Sequence, residues 1–585
     1  VRSETGPERA GGGQWSARVR PLPLRGVLRL GRSSDIWHKP ALSVAVATAI
    51  PSLVLLAAGR LDLALYASGG SLCALYAHGQ PYAVRARTLL WVVLGMTAGV
   101  AAGLCTAAAT DSTALRVLVA ALLAGAHKVV CDAARIGPPG NLIFTFIAAS
   151  SAFLPQRAAD IPAHLALVLL GGAVAWLVCM APALVRPDGP QRIAVARALE
   201  AAARQAADPG PAARHAAAAA VNAAWHTLFQ VGARTPGRAG LELLVVRAES
   251  VMAGGQAGGA VDGDADPARL ADWARRLRRG GAPPVPEPRP AEAGELRGVA
   301  ADRRAADARH HRRPWPHAPR GARALLAGMG PGSPLLPIGA RVALGGAAAG
   351  WASMLLGVGR PYWAVVTAAA IFQANTTLTW GRALQRGLGN LLGTVLFTAL
   401  LPVTRLGALA LLATVLACQI AAEATMARNY WLGSVFVTPM ALAMVEFAGY
   451  QPARTLVAER LLDTCLGIAA GLLSCALVTN RRATGRIGAA LDRLAAATGD
   501  AEDLARQGAD ADPLEAAWAR DRLANALADL REAADVAAGE WWQRALPEDR
   551  VERAEREGHR VLAEPPLAPA YDLARPVSSG GGGGT

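Results

Sequence analysis

Lysine is almost missing from this 585-residue chain: Lys39 and Lys128 are the two lysines among 59 basic residues. Each follows a histidine, whereas a phosphate-binding Walker A loop needs glycine directly before its lysine, so these residues encode no ATP-driven motor. Cysteine is sparse and unpatterned. Cys73, Cys105, Cys131, Cys179, Cys418, Cys465 and Cys475 all fall in or beside apolar segments, with no C-x-x-C, and read as small packing residues rather than disulfides or metal ligands. His310, His311 and His317 lie among prolines without cysteine partners, which fits a solvated linker, not a metal site. Neither H-E-x-x-H nor G-x-S-x-G occurs, so protease and esterase chemistry has no support. The expectation is a protein that is no enzyme and uses no cofactor and no metal. The first 35 residues lack an uninterrupted apolar core, so no cleavable signal peptide is expected and the first span inserts as its own signal.

Apolar residues are what the chain has in excess, at 53%, with a mean hydropathy of +0.27. Such content in long stretches points to a bilayer. The net charge of +15 and pI near 10.3 would suggest nucleic acid in a soluble protein. In a membrane chain, arginines instead hold cytoplasmic parts on the inner side, so no nucleic-acid partner is expected. Twelve apolar segments stand out, at 41–58, 62–77, 88–108, 115–131, 141–154, 164–185, 338–356, 362–377, 387–401, 406–424, 430–446 and 460–478. Several are shorter than the ~20 residues a spanning helix needs, so their helices must extend into flanking polar residues.

The segments fall as six plus six, and the second set repeats the first. Arg135, Gly140 and Thr145 recur 293 residues later as Arg428, Gly433 and Thr438, and Ala223-Ala224-Trp225 recurs as Ala516-Ala517-Trp518. Because six is even, both halves enter the membrane in the same direction and are parallel repeats, with a substrate path between them. The predicted fold is an all-α membrane protein with two parallel six-helix transmembrane repeats, each followed by a cytoplasmic helical region. Its parts are a basic N-terminal segment (1–40), a first membrane half (41–186), a helical region with a Pro-rich linker (187–334), a second membrane half (335–480), a C-terminal helical region (481–570) and a disordered tail (571–585). Eight basic side chains before the first span favour a cytoplasmic N-terminus, and an even span count returns the C-terminus to that side. The four-residue glycine spacings Gly95/Gly99/Gly103, Gly346/Gly350, Gly389/Gly393 and Gly467/Gly471 read as helix packing.

The stretch GRPYWAVVTAAAIFQANTTLTWGRALQRGLGNLLGT from Gly359, with ATMARNYWLGSVFVTPMALAM from Ala424, resembles the second-half signature of the fusaric acid resistance and aromatic acid exporter family. The shared pattern is an aromatic span start (Tyr362-Trp363), an Arg-x-x-x-Arg turn (Arg382, Arg386), a glycine-rich span (Gly389, Gly393) and an Arg-Asn-Tyr element (Arg428-Asn429-Tyr430). The first half departs from it: Leu61-Asp62-Leu63 replaces the aromatic start, Arg85-Ala86-Arg87 the basic turn, and RIGPPGNLIFTF from Arg135 the Arg-Asn-Tyr element. The resemblance implies a multi-pass protein of the cytoplasmic membrane that exports aromatic or other organic acids.

Organic acids carry a carboxylate, which arginine binds bidentately and an apolar cavity alone excludes. Arg382, Arg386, Arg85, Arg87, Arg428 and Arg135 are therefore the candidate substrate ligands, set in inner loops as an intracellular ring, with ordinary positive-inside anchoring as the competing explanation. Gln373 and Asn375 could hydrogen-bond a carboxylate or hydroxyl, beside Thr376 and Thr377. Charges inside spans are costly and so worth weighing. Glu423, Asp132 and Asp62 are candidate proton-coupling carboxylates; Lys128 and Asp132, four apart, can instead neutralise each other, and Arg341 and Asp463 are further in-span charges. The expected function is a proton-coupled secondary exporter of small organic acids. A passive organic-anion channel on the same fold, and a non-transporting scaffold whose cytoplasmic helices bind partners, are the alternatives. The expected partners are the lipid bilayer and a small organic acid, and the build allows a homo-oligomer.

Overall fold

The computed structural model describes residues 26–31, 34–134, 136–208, 210–230, 240–245, 267–281, 335–373, 375–478, 482–507 and 548–563, with shorter pieces at 238, 247–248, 330, 333 and between 519 and 534. Arg135, the Pro283–Pro288 break, His310, His311, His317, Trp518 and the glycine tail lie outside the described residues.

All regular structure among the described residues is helical. The first membrane half contains α1 (His38–Ala57), α2 (Ala64–Ser71, continued on both sides by 3₁₀ turns Leu61–Leu63 and Leu72–Leu75), α3 (Tyr82–Ala109), α4 (Thr113–Ala134), α5 (Leu142–Ser151) and α6 (Ile161–Met180). Among the described residues α7 (Gly189–Ala207), α8 (Pro211–Phe229) and α9 (Pro267–Arg279) follow. The second half contains α10 (Leu335–Leu355), α11 (Tyr362–Ile371), α12 (Thr376–Thr404), α13 (Ala408–Met426), α14 (Tyr430–Val445) and α15 (Ala453–Leu477). After it come α16 (Arg482–Gln507) and α17 (Glu548–Ala563).

Each of the twelve apolar segments thus holds a helix, but among the described residues nine helices are long and apolar enough to cross a membrane. Leu61–Leu75, Leu142–Ser151 and Tyr362–Ile371 are shorter, so twelve full spans is corrected to nine long helices and three short ones. The physical reason is visible at the eighth segment. Helix α11 stops at Ile371, Phe372 turns extended, and Asn375 starts the next helix by accepting a hydrogen bond from the Leu378 amide at 2.9 Å. Helix α12 then begins well before its apolar stretch, so Arg382 and Arg386 lie within a helix and not in a loop. Arg85 and Arg87 likewise belong to the first turns of α3. Arginine is a good helix former, and its long stem lets a helix carry it at a membrane boundary without a break.

The two halves pack reciprocally. The first half's fourth helix, α4, lies against the second half's first, α10, while the first half's first, α1, lies against the second half's fourth, α13. In the same way α5 meets α11, and the turn before α2 meets the turn Glu446–Ala448 after α14. Small residues make the α4–α10 seam close: a Cβ at Gly346 would stand 3.4 Å from Ala121 Cβ, and one at Gly350 would stand 2.5 Å from Val117 Cγ1.

Outside the bundle, α9 shows why these segments are helices. Leu270, Trp273, Ala274 and Leu277 recur at helical spacing, and all four are buried against Leu199 and Ala202 of α7 and Leu244. A second small core gathers Leu494 of α16, Leu523, Leu530 and Val551 of α17.

Candidate functional site

Two helices of the second half meet along a glycine face. A Cβ at Gly393 of α12 would stand 2.6 Å from Thr438 Cβ of α14, so only glycine lets the backbones come this near, and Gly389 sits against Ser434 in the same way. That approach sets the polar groups of α12 against those of α14. Asn390, fully buried, accepts a hydrogen bond from Thr438 Oγ1 at 2.9 Å and donates to Thr464 Oγ1 of α15 at 2.7 Å, tying three helices together.

One turn earlier, Arg386 is 3% exposed and donates from Nη1 to the Tyr430 hydroxyl at 3.1 Å. The guanidinium of Arg382 stands 3.9 Å from the centre of the same tyrosine ring. The two arginines therefore share a helical face and a partner. Tyr430 is placed by Asn429, which starts α14 by accepting from the Trp431 amide at 3.3 Å. The Nδ2 of Asn429 also donates to the carbonyls of Val27 and Arg29, each at 3.0 Å. With Gln385 donating to Val27 (2.7 Å) and Trp431 to Leu28 (3.2 Å), residues 26–31 form a strap across the α12 and α14 ends that carry these arginines.

Helix α15 adds the deepest charges. Arg460, 2% exposed, lies over the Trp363 ring at 5.3 Å, and its Nε and Nη1 have no hydrogen-bond partner. Asp463, at 0% exposure, accepts from Ser353 of α10 at 2.6 Å through one oxygen, and its other oxygen has none. Arg386 Nε, Trp363 Nε1, Thr367 Oγ1 and Ser434 Oγ are also buried without partners. Leaving a buried polar group unmet costs roughly 1–3 kcal/mol, more when it is charged, so these groups are held in the interior at a cost. Other charges of this half are paired: Arg360, also over the Trp363 ring at 5.6 Å, with Glu459 at 2.5 Å, and Arg405 with Glu446 at 3.2 Å.

The other sequence candidates do not join this group. Arg85, 4% exposed, gives its guanidinium to the carbonyls of Ala77 (3.0 Å), His78 (2.6 Å), Gln80 (3.2 Å) and Cys179 (3.4 Å), which makes it a clamp on the loop before α3. Arg87 and Arg428 are exposed. Asn375 is the α12 cap, and Gln373 bonds the neighbouring Phe372 carbonyl at 2.9 Å. Asp62 pairs with Arg60 at 3.0 Å on the surface, and Lys128 pairs with Asp132 at 2.9 Å, the neutralisation their spacing allowed. Glu423 on α13 is half-buried and faces no partner among the described residues. Arg460, Asn390, Thr464, Ser353 and Thr367 were not singled out from sequence, and Thr438 only as a repeat position. Their signal is the placing of polar residues beside the glycines, as in Gly389-Asn390 and in Thr464 before Gly467.

A separate cavity of about 100 Å³ lies between α7, α8 and the start of the first half, lined by Ile36, His78, Pro190, Ala194, Arg197 and Ala223. Burial holds His78 well below the usual imidazole range, at about 4. Beside it, Asp35 pairs with Arg197 and with Arg278, each at 2.6 Å, and Arg278 also pairs with Glu200 at 2.7 Å. Burial alone would raise the Asp35 carboxyl, but the hydrogen bonds and charges of the two arginines outweigh it and hold it at about 2. Neither this cavity nor a second of about 10 Å³ inside the first half touches Arg386 or Arg460.

The long apolar helices and this buried polar core define a multi-pass helical membrane protein. Residues 347–474, which contain the core, match the family described as fusaric acid resistance protein-like. The chain is also 30% identical over 191 residues to the uncharacterized membrane protein YvaC of Bacillus subtilis (strain 168). That match covers 32% of this chain and 29% of the relative, so the chain spans under a third of the relative's length. No solved structure matches the chain.

Proposed function

We propose that the protein is a secondary transporter that exports small organic acids, aromatic carboxylic acids among them, across the cytoplasmic membrane with proton coupling. The observation that carries this reading is the pair Arg386 and Arg460, two buried arginines with unpartnered N–H groups inside the second membrane half. A carboxylate supplies two acceptor oxygens and one negative charge, the complement of a guanidinium edge left without either. Trp363 and Tyr362, packed beside Arg460, offer aromatic surfaces to the rest of such a solute.

In this reading the arginines near the start of α12 face the cytoplasm, both termini are cytoplasmic, and the halves are two parallel six-helix repeats. The reciprocal packing of α4 on α10 and α1 on α13 supports the repeat, because two like units related by an axis along the membrane normal exchange contacts in this way. Inverted membrane vesicles containing the protein should concentrate labelled benzoate, and a protonophore should collapse the gradient. Uptake that merely equilibrates would point to a passive channel, and no uptake would refute transport of this solute class.

A further inference from the structure

We propose that residues 26–31 are a gate over the Arg382 and Arg386 end of the second half: seated they close it, and lifting off α12 and α14 opens it to solutes from that side. The inference rests on the organic-acid reading for what passes beneath. Tyr430 is the first residue of α14, where a helix end ordinarily meets solvent, yet it is 8% exposed, and Arg386 against it is buried as well. The strap lies over this place. The Val27 carbonyl accepts from Gln385 and Asn429, that of Leu28 from Trp431, and that of Arg29 again from Asn429.

The side-chain donors all belong to the rim. Gln385 precedes Arg386, and Asn429 and Trp431 flank Tyr430, so the strap bonds the neighbours of the two buried groups and leaves those groups to each other. Its own footing is shallow: Leu28 and Leu30 are exposed, and only Val27 among residues 26–31 is half-buried. Hydrogen bonds with little apolar area beneath them break without opening a packed core, the property of segments that move. One backbone bond, from the Gly31 amide to the Arg428 carbonyl at 2.7 Å, closes the far end, and a Cβ at Gly31 would stand 3.1 Å from that oxygen, so glycine permits the close seat.

What holds the strap when it lifts is Asp35, a short way beyond Gly31, which takes a bidentate pair from Arg197 of α7 and a further bond from Arg278 of α9. The chain from Gly31 to Asp35 extends at most about 14 Å, so this tether keeps the strap beside its seat and makes reclosing a local step. The two holds differ in kind. Charge-assisted bonds in a network hold the Asp35 end, whereas neutral bonds, roughly half as strong, hold the end over the arginines, so the seat on α12 and α14 gives way first. A solute from the cytoplasmic side then meets Arg382, half-buried over the Tyr430 ring, before the buried Arg386.

The test locks and loosens the strap in inverted membrane vesicles, whose outer face is the cytoplasmic one. A Cβ at Gly381 would stand 3.9 Å from Val27 Cγ2, so Val27→Cys with Gly381→Cys brings two thiols within disulfide reach. Oxidation of this double variant should abolish benzoate uptake and reduction should restore it, with each single variant indifferent to both treatments. Loosening is read without any solute. The Arg382→Cys thiol should react slowly with a membrane-impermeant thiol reagent while the strap is seated. Adding Gln385→Ala and Trp431→Phe, which takes away two of the hydrogen bonds to the strap, should speed that reaction about fivefold or more. Uptake that survives the disulfide, or labelling at one rate with and without the two rim substitutions, would overturn the gate and leave the organic-acid reading standing. No benzoate uptake by the unaltered protein would overturn that reading, and the gate would then stand or fall on the labelling.

Discussion

Arg85 in the first membrane half and Arg460 in the second are both buried arginines, yet one is saturated and the other is open. Four backbone carbonyls surround Arg85, whereas two nitrogens of Arg460 meet nothing. The contrast extends to the surroundings. The first half is filled by apolar side chains such as Val92, Met96, Val100, Leu104, Phe144 and Ile147, while the second holds Arg386, Asn390, Thr438, Arg460, Asp463 and Thr464 in its interior. Bare hydroxyls occur in both halves, as at Thr145 and Thr367, but among the described residues bare charged groups inside the spans are confined to the second. The two sets of helices thus differ in kind, the first giving a packed frame and the second keeping the costly polar groups. The family match falls on residues 347–474, within the half that keeps it.

The sharpest way to break this comparison is to neutralise arginines in each half. Arg85→Gln should lower stability by roughly 3 kcal/mol or more, since each hydrogen bond from a charged donor contributes about 1.5–3 kcal/mol. Thermal unfolding in detergent would read this, and the folded fraction should bind carboxylates as before. Replacing Arg382 and Arg386 together with Gln should do the reverse: normal insertion and amount, with carboxylate binding about tenfold to a hundredfold weaker. Unchanged efflux at normal protein level would remove these two residues from the path.

A smaller effect comes from the glycine seams. Gly103→Val and Gly393→Val each force a side chain into a site where a Cβ would meet a neighbouring atom at 2.6 Å, and overpacking of this kind costs about 1–3 kcal/mol. Both should lower the unfolding temperature. Only Gly393→Val should also weaken carboxylate binding, because it parts Asn390 from Thr438; equal loss in both variants would argue that the halves share the site.

The least effect near neutral pH, and the most informative about the helices outside the bundle, concerns Asp35. Its carboxyl lies at about 2 against an ordinary 3.8, so the pairing with Arg197 and Arg278 stabilises fully above the ordinary value and is lost as pH falls toward 2. Hydrogen exchange of α7 and α9 should therefore quicken between about pH 4 and pH 2. Asp35→Asn should show the quicker exchange already at neutral pH, with α12 and α14 little changed.

Much of the fold could be read along the chain because hydrophobicity is local: every one of the twelve apolar segments holds a helix. Helix ends were less legible. Arg382, Arg386, Arg85 and Arg87 read as loop residues by charge, although arginine propagates a helix well and the helices run through them. The site was half legible. Arg382 and Arg386 were singled out by chemistry and spacing, and they do share Tyr430. Arg85 had the same chemistry, and no sequence feature shows that four carbonyls would claim it.

By itself the sequence determined a helical membrane chain, the glycine faces along which its helices could meet, and the arginines it placed near them, because these follow from residue type and period alone. Tertiary structure decided which buried charges found partners and which did not. That choice depends on what neighbouring helices bring within hydrogen-bond reach, and a low-dielectric interior makes each unmet group count. Arg85 met four carbonyls from the turn beside it and from α6, while Arg460 and Asp463 were carried by one helix into a ring of others that left them half satisfied.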